Sequence, residues 1–291
     1  MTTTTTNTPE GWSPSVVSRY NPDDVLSEAL IIQAATFAGS VDGDEPAVLV
    51  PYVATDPEAG FVAEGQPIDN SDTGSAQVVI TTNKVAVVTR MSRELTSHPN
   101  AAERIANSVR RSVIAKADAA FLGNDDDPTG LFNIDGINTA GNLGTDLFAA
   151  YDAVAAIEAD GGQATHVLIH PTDWGALSKL PVADGSNQSL LANVHDAATR
   201  SLAGVPVVVH SAVPQGQALV LDRSEVVGAY GQLQLMRSED AFFTYDAVAI
   251  RATFRLGWRV IRPARLAKLT IGDSANGGAA AATTTKAKTK S

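Results

Sequence analysis

Apolar residues recur at steps of four through the middle of the chain, at Ile105, Val109, Val113, Ala117 and Phe121. That spacing predicts a helix over 99–122, its stripe drifting slowly around one face. Ser97-His98-Pro99-Asn100 opens it and Gly123-Asn124 supplies the stop. At 1.5 Å per residue it is about 35 Å long. Arg104, Arg110, Arg111 and Lys116 lie off the stripe. A shorter helix follows Asp23 or Asp24 as cap, with Val25, Ala29, Ile32 and Ala35 at helical spacing, and ends in the segment 39–46. Thr145 or Asp146 caps another through Leu147, Val154 and Ile157 to Ala159. Pro171-Thr172-Asp173 starts a fourth, with Trp174 and Leu177 on its apolar face.

Elsewhere the pattern is extended. The run 47–53 reads as a strand, and Pro51 makes it an edge or bulged one, because proline cannot donate to a ladder. Residues 54–75 are polar and hold Asp56, Glu58, Glu64, Asp69 and Asp72 but no Lys or Arg. A long strand-like run then spans 77–91. Two such runs joined by a polar excursion predict a two-stranded arm. A lone hairpin is marginally stable, so the arm needs a surface to lie on, and in a homo-oligomer a neighbour provides it. Further strands are predicted at 166–170, 205–209, 218–221, 233–236 and 246–255, with 258–261 as the last. The segment 124–144 reads as loop, and 190–194 fits either class. Loosely alternating helices and strands, with strands clustered late, give an α+β class. The Thr-rich start, about 1–13, reads as a flexible arm, and the Ala/Thr/Lys tail 273–291 as disordered. No internal repeat is present.

Composition sharpens this picture. With 291 residues, 44 % of them hydrophobic, the chain can bury one large or two modest cores. Aromatics are only 5 %, so aliphatic side chains must fill them. Cysteine is absent, which removes disulfides, thiolate metal sites and thiol nucleophiles, and suits a reducing compartment. The start lacks the basic and apolar segments of a signal peptide, and no window of about 18 apolar residues could span a bilayer. The net charge is −11. Gripping nucleic acid needs a basic surface that displaces counterions, so this chain on average repels phosphate.

Candidate chemistry is sparse. No G-x-S-x-G, H-E-x-x-H or P-loop pattern occurs. Gly141-Asn142-Leu143-Gly144 could cradle a phosphate at a helix start, but reads better as a loop before a capped helix. His166 and His170 share one face of a strand about 13 Å apart, too far to bind one ion through nitrogens at about 2 Å. Asp125-Asp126-Asp127 opens like a calcium loop and has Gly130 sixth, but the twelfth residue is Gly136 in place of Glu, which favours a solvated acidic turn. Glu239-Asp240 could form an acid/base couple, yet nothing distinguishes it from a charged surface turn.

Several stretches, taken in order, resemble the Hong Kong 97-type major capsid proteins of tailed bacteriophages. The run 46–53 followed by Gly60-Phe61-Val62-Ala63-Glu64-Gly65 resembles that family's extended loop, and the helix 99–122 its spine. Asp127-Pro128-Thr129-Gly130-Leu131-Phe132-Asn133 resembles the turn after the spine. Ile169-His170-Pro171-Thr172-Asp173-Trp174, Gly204-Val205-Pro206-Val207 and Val213-Pro214-Gln215-Gly216 resemble the segments that follow. Phe242 to Arg251, followed by Pro263, resembles the closing strands. The likeness covers about 22–271. It implies an N-terminal arm (1–46), an extended loop (47–91), a peripheral domain (92–133 and 226–271), an axial domain (134–225) and a tail (272–291).

The resemblance further implies a structural protein, with no cofactor and no enzymatic activity. Copies would form hexamers and pentamers that close an icosahedral shell around double-stranded DNA, without gripping it. Such a protein resides in the virion and assembles in the bacterial host's cytoplasm, with room for separate scaffold, portal and decoration proteins. The extended loop would lie over an adjacent subunit. There Phe61 would act as aromatic anchor and Glu64 would meet an arginine of the neighbour's spine, Arg110 or Arg111. Two departures stand out: only about 20 residues precede the first helix, leaving no room for a long N-terminal scaffold region. The loop also lacks the lysine through which some members crosslink to a neighbour's asparagine. Two alternatives stay open: an encapsulin-like compartment holding cargo enzymes, and a soluble α+β enzyme with an unrecognised site. Gel filtration separates the second from any shell, and co-purifying nucleic acid or cargo protein separates the first from a phage head.

Overall fold

A computed structural model describes residues 29–41, 47–57, 59–62, 64–65, 70–71, 73–92, 94, 101–144, 146–181, 191 and 200–272. The expected flexible start, most of 190–194, the opening of the long helix before Ala101 and the tail lie outside these residues. The chain divides into two compact units, 1–133 with 224–261, and 134–223 with 262–291.

The first unit is built around a long helix on a sheet. Helices α1 (Leu30–Ala34) and α2 (Ala101–Gly123) accompany strands β1 (Thr36–Ser40), β2 (Ala47–Thr55), β3 (Gly74–Thr81) and β4 (Asn83–Ser92). Strands β10 (Val226–Tyr230), β11 (Gln234–Phe242) and β12 (Ala247–Val260) complete it. The sheet runs β1-β10-β12-β11, with β4 also paired to β12. The step-of-four stripe does what its period predicts: Val109, Val113, Ala117 and Phe121 are buried, as is Leu122. Each such side chain contributes about 1.5–3 kcal/mol of burial. Phe121 meets Trp258 of β12 edge-on, with ring centroids 5.4 Å apart.

The turn after α2 is a closed hydrogen-bonded unit. Asn133 Nδ2 donates to the Gly123 and Asn124 carbonyls, satisfying the helix end, and to Asp125 Oδ1 at 2.8 Å. Trp258 Nε1 donates to the Thr129 carbonyl at 2.8 Å. A Cβ on Gly130 would meet the backbone of Leu122, Gly123 and Asn124, so only glycine fits there. The acidic triplet is therefore part of a capping turn, with Asp127 ion-paired to Arg259 at 3.1 Å.

The second unit is a six-stranded sheet in the order β5-β13-β9-β6-β8-β7. Its strands are β5 (Asn138–Asn142), β6 (His166–Ile169), β7 (Ser201–Leu202), β8 (Val205–Val209), β9 (Gln217–Leu221) and β13 (Leu266–Thr270). Helix α3 (Phe148–Ala159) covers it with Ala149, Ala150, Ala153 and Ile157, and α4 (Pro171–Leu177) adds Leu177.

Four expectations need correction. The second extended run is two strands: β3 pairs with β2, whereas β4 pairs along its whole length with β12. The arm therefore stops at Thr81, and 83–92 belong to the sheet. Residues 30–41 are not a free arm either, because β1 lies parallel to β10 and Leu30, Ile31 and Ala34 are buried. The strand at 258–261 continues β12, and the last strand is β13, which joins the second unit between β5 and β9. Residues 262–271 thus leave the closing strands' unit, because Leu266, Ala267 and Leu269 are buried in the second core. Finally, 138–142 is a strand within the supposed loop, a polar edge whose ladder bonds to β13 replace apolar alternation.

Candidate contact surfaces

Hairpin β2–β3 has two apolar faces. On one, Val48, Val50, Val78 and Ile80 pack toward Val41, Val227 and Ala229. On the other, the cross-strand partners Leu49 and Val79 are 62 % and 47 % exposed, and Pro51 and Val53 extend the same face. A pleated strand places alternate residues on opposite faces, so alternation of polar and apolar would have left this second face polar. It is uncovered and hydrophobic. Beyond the paired segment, every described residue from Val53 to Thr73 is exposed, and Phe61 is completely so.

The hairpin roots on β12 at Gly257. A Cβ there would collide with the Thr81 carbonyl oxygen and touch Ile80. Past this crossing the same side of the sheet lies open. Its positions follow from the register: Lys84, Ala86, Val88 and Arg90 of β4 stand opposite Arg255, Thr253, Arg251 and Ala249 of β12. Gln234, Met236 and Ser238 of β11 lie opposite Thr253, Arg251 and Ala249. Lys84, Arg90, Arg251 and Arg255 therefore share one face, and no Asp or Glu occupies any of these paired positions. Arg90 is held over the rings of Tyr245, at 4.7 Å, and Phe242. Val88 and Met236, 56 % and 45 % exposed, sit among the cations.

The residues singled out from sequence divide as follows. Glu64, like Phe61, is exposed on the loop; Arg110 is half-buried and Arg111 exposed on α2. A single copy does not bury Phe61 against that helix. Sequence reading passed over the cation face, though its signal is present. Lys84 and Arg90 are six apart, and Arg251 and Arg255 four apart; even spacings put each pair on one face of a strand.

The remaining candidates hold the fold together. His170 caps α4, its Nδ1 accepting from the Thr172 backbone N–H at 3.2 Å, and Asp173 Oδ2 accepts from Gly216 N–H at 2.7 Å. His166 Nδ1 lies 3.1 Å from Thr165 Oγ1, and burial, aided by the Arg223 charge, holds its pKa below 6.5. Among the described residues no three His, Asp or Glu side chains converge on a metal position. Glu239 pairs with Arg237 at 2.7 Å on the surface, a contact worth little. In the Gly141–Gly144 turn, Asn142 Nδ2 donates to the Gly272 carbonyl at 2.7 Å, tying the turn to the strand after it.

Residues 28–271 match the model of the phage capsid family. No curated protein matches. Among solved structures, the capsid of an empty GTA particle computed with C5 symmetry is similar over 84 % of this chain and 90 % of its own, with 20 % identity and a TM-score of 0.68. A chain from Gordonia phage Cozz is similar over 92 % of both, with 19 % identity and a TM-score of 0.67. One from Microbacterium phage Oxtober96 covers 91 % of this chain and 95 % of that one, at 17 % identity and a TM-score of 0.68.

Proposed function

The chain belongs to the phage capsid family, and from that premise we propose that it is a structural protein whose copies associate through hexamers and pentamers into a closed icosahedral shell around double-stranded DNA. The observation that carries this reading is hairpin β2–β3, with an apolar face and a 21-residue outer segment, 53–73, exposed wherever described. Such a hairpin needs a surface to lie on, and a second copy supplies one.

A closed shell reuses the same patches at every junction with small adjustments. Each patch can then be modest, because many copies multiply the contacts. Phe61 would anchor the loop in an apolar seat on the neighbour, and Glu64 would pair with a cation there. Two surfaces offer such cations: the α2 arginines Arg110 and Arg111, and the β4–β12–β11 face. A net charge of −11 suits a container whose DNA must enter and leave. The role is structural, residence is the virion, and assembly belongs in the host cytoplasm, with scaffold, portal and decoration proteins as separate partners.

Negative-stain microscopy and sedimentation of the purified chain test the reading. Capsomers or closed shells are expected. A stable monomer across all protein concentrations and ionic strengths would overturn it.

A further inference from the structure

We infer that the loop 56–72 of one copy seats on the open face of the β4–β12–β11 sheet of another, its carboxylates meeting Lys84, Arg90, Arg251 and Arg255. This rests on the shell reading above and specifies where two copies touch. The loop carries Asp56, Glu58, Glu64, Asp69 and Asp72 with no Lys or Arg, five negative charges in one segment. The sheet face carries four cations and, across its paired positions, no carboxylate. On a chain of net charge −11, a segment with only acids and a face with only bases are complementary beyond what composition alone supplies. Complementary potentials of this kind fix partner and register.

The apolar content separates this seat from the helix. Val88 and Met236 stand exposed between the cations and can receive Phe61 and Val62, both exposed on the loop. The outward positions of α2 near Arg110 and Arg111 are Asn107, Ser108, Ser112, Ala115 and Ala119, and no large exposed hydrophobic residue lies among them. An aromatic anchor gains most in an apolar pocket ringed by polar groups, and only the sheet face has that composition. Arg90 is already held in place by Tyr245 and Phe242, so less side-chain entropy is lost when it binds.

Isotope-mixed particles test the seat. Light and nitrogen-15-labelled chains are assembled together and treated with a water-soluble carbodiimide, which joins a carboxylate to an amine in direct contact without a spacer. After digestion, mass spectrometry reads which lysine is coupled to the loop. Mixed-isotope peptides joining Lys84 to a carboxylate of 56–72 are expected. Coupling of the loop to Lys116 of α2, coupling within one copy only, or an uncoupled Lys84 would each overturn the seat and leave the shell reading standing. Failure of the wild-type chain to form any particle would overturn both. In parallel, Arg251→Glu with Arg255→Glu should abolish shells, and adding Glu58→Lys with Glu64→Lys should restore them. Shells formed at wild-type yield by the first pair, or no recovery with folded protein in the second, would also overturn it.

Discussion

Asp118 is 1 % exposed, yet it sits on the long helix α2 of an otherwise apolar core. Its Oδ1 accepts from the Leu30 backbone N–H at 2.8 Å, so it caps α1 from 88 positions away. Leu30 is fully buried, and without the carboxylate its N–H loses that partner out of reach of water. Asp118→Ala should therefore cost about 1–3 kcal/mol in chemical denaturation, and Asp118→Asn, which keeps an acceptor, clearly less. Equal losses would show that packing, not the hydrogen bond, matters there. His166 gives a second residue-scale prediction. Its folded pKa lies below the unfolded 6.5, so the unfolded chain takes up the proton first. Its contribution is fully present above pH 6.5 and is lost as pH falls through 6.5 toward the folded value. Denaturation midpoints of wild type and His166→Gln, compared between pH 8 and pH 5, should diverge in that window, with wild type losing more on acidification; parallel curves would remove His166 as the cause.

At the scale of elements, the outer loop should be separable from the body. Thr55 and Gly74 pair across the hairpin, so joining them through an Asn-Gly turn in place of 56–73 keeps the register. The shortened chain should retain the wild-type circular dichroism spectrum and form no closed shells. Normal particles from it would remove the loop from assembly. The hairpin was legible because its strands are long and rich in β-branched residues around a polar excursion, and α2 because its stripe repeats over five steps. Strands β1, β5, β10 and β13 were not. Each has five residues, too few to fix a period. β10 is buried at all five positions and so does not alternate, and β5 is polar and held by its ladder. The junction between β3 and β4 was invisible for another reason: Thr82 interrupts pairing without interrupting the hydrophobic run. Of the candidate contacts, Phe61 and Glu64 were readable from a motif. The cation face required the register of three strands that are distant in sequence, and no local pattern assembles Lys84, Arg251 and Met236.

For the whole molecule, what holds copies together must be non-covalent. Disulfides are excluded by the absence of cysteine. An amide link between lysine and a neighbour's side chain needs a lysine amine enclosed beside its target, and residues 54–83 contain no lysine. Lys84 stands in the paired part of β4, exposed and opposite Arg255, in a setting that offers charge but no apolar enclosure. Burial of Leu49, Val79, Phe61 and similar groups, together with pairing of loop carboxylates and sheet cations, then has to provide the cohesion. Charge pairs of this kind weaken with salt, because the screening length shrinks from about 8 Å at physiological ionic strength to about 3 Å at 1 M. Apolar burial does not weaken in that way. Assembled particles should therefore loosen in part at high salt, and should come apart wholly in hot detergent. On a denaturing gel they should run as a single band near 30.2 kDa. A ladder of multiples of that mass, or protein too large to enter the gel, would mean that a lysine outside the loop forms a covalent link between copies.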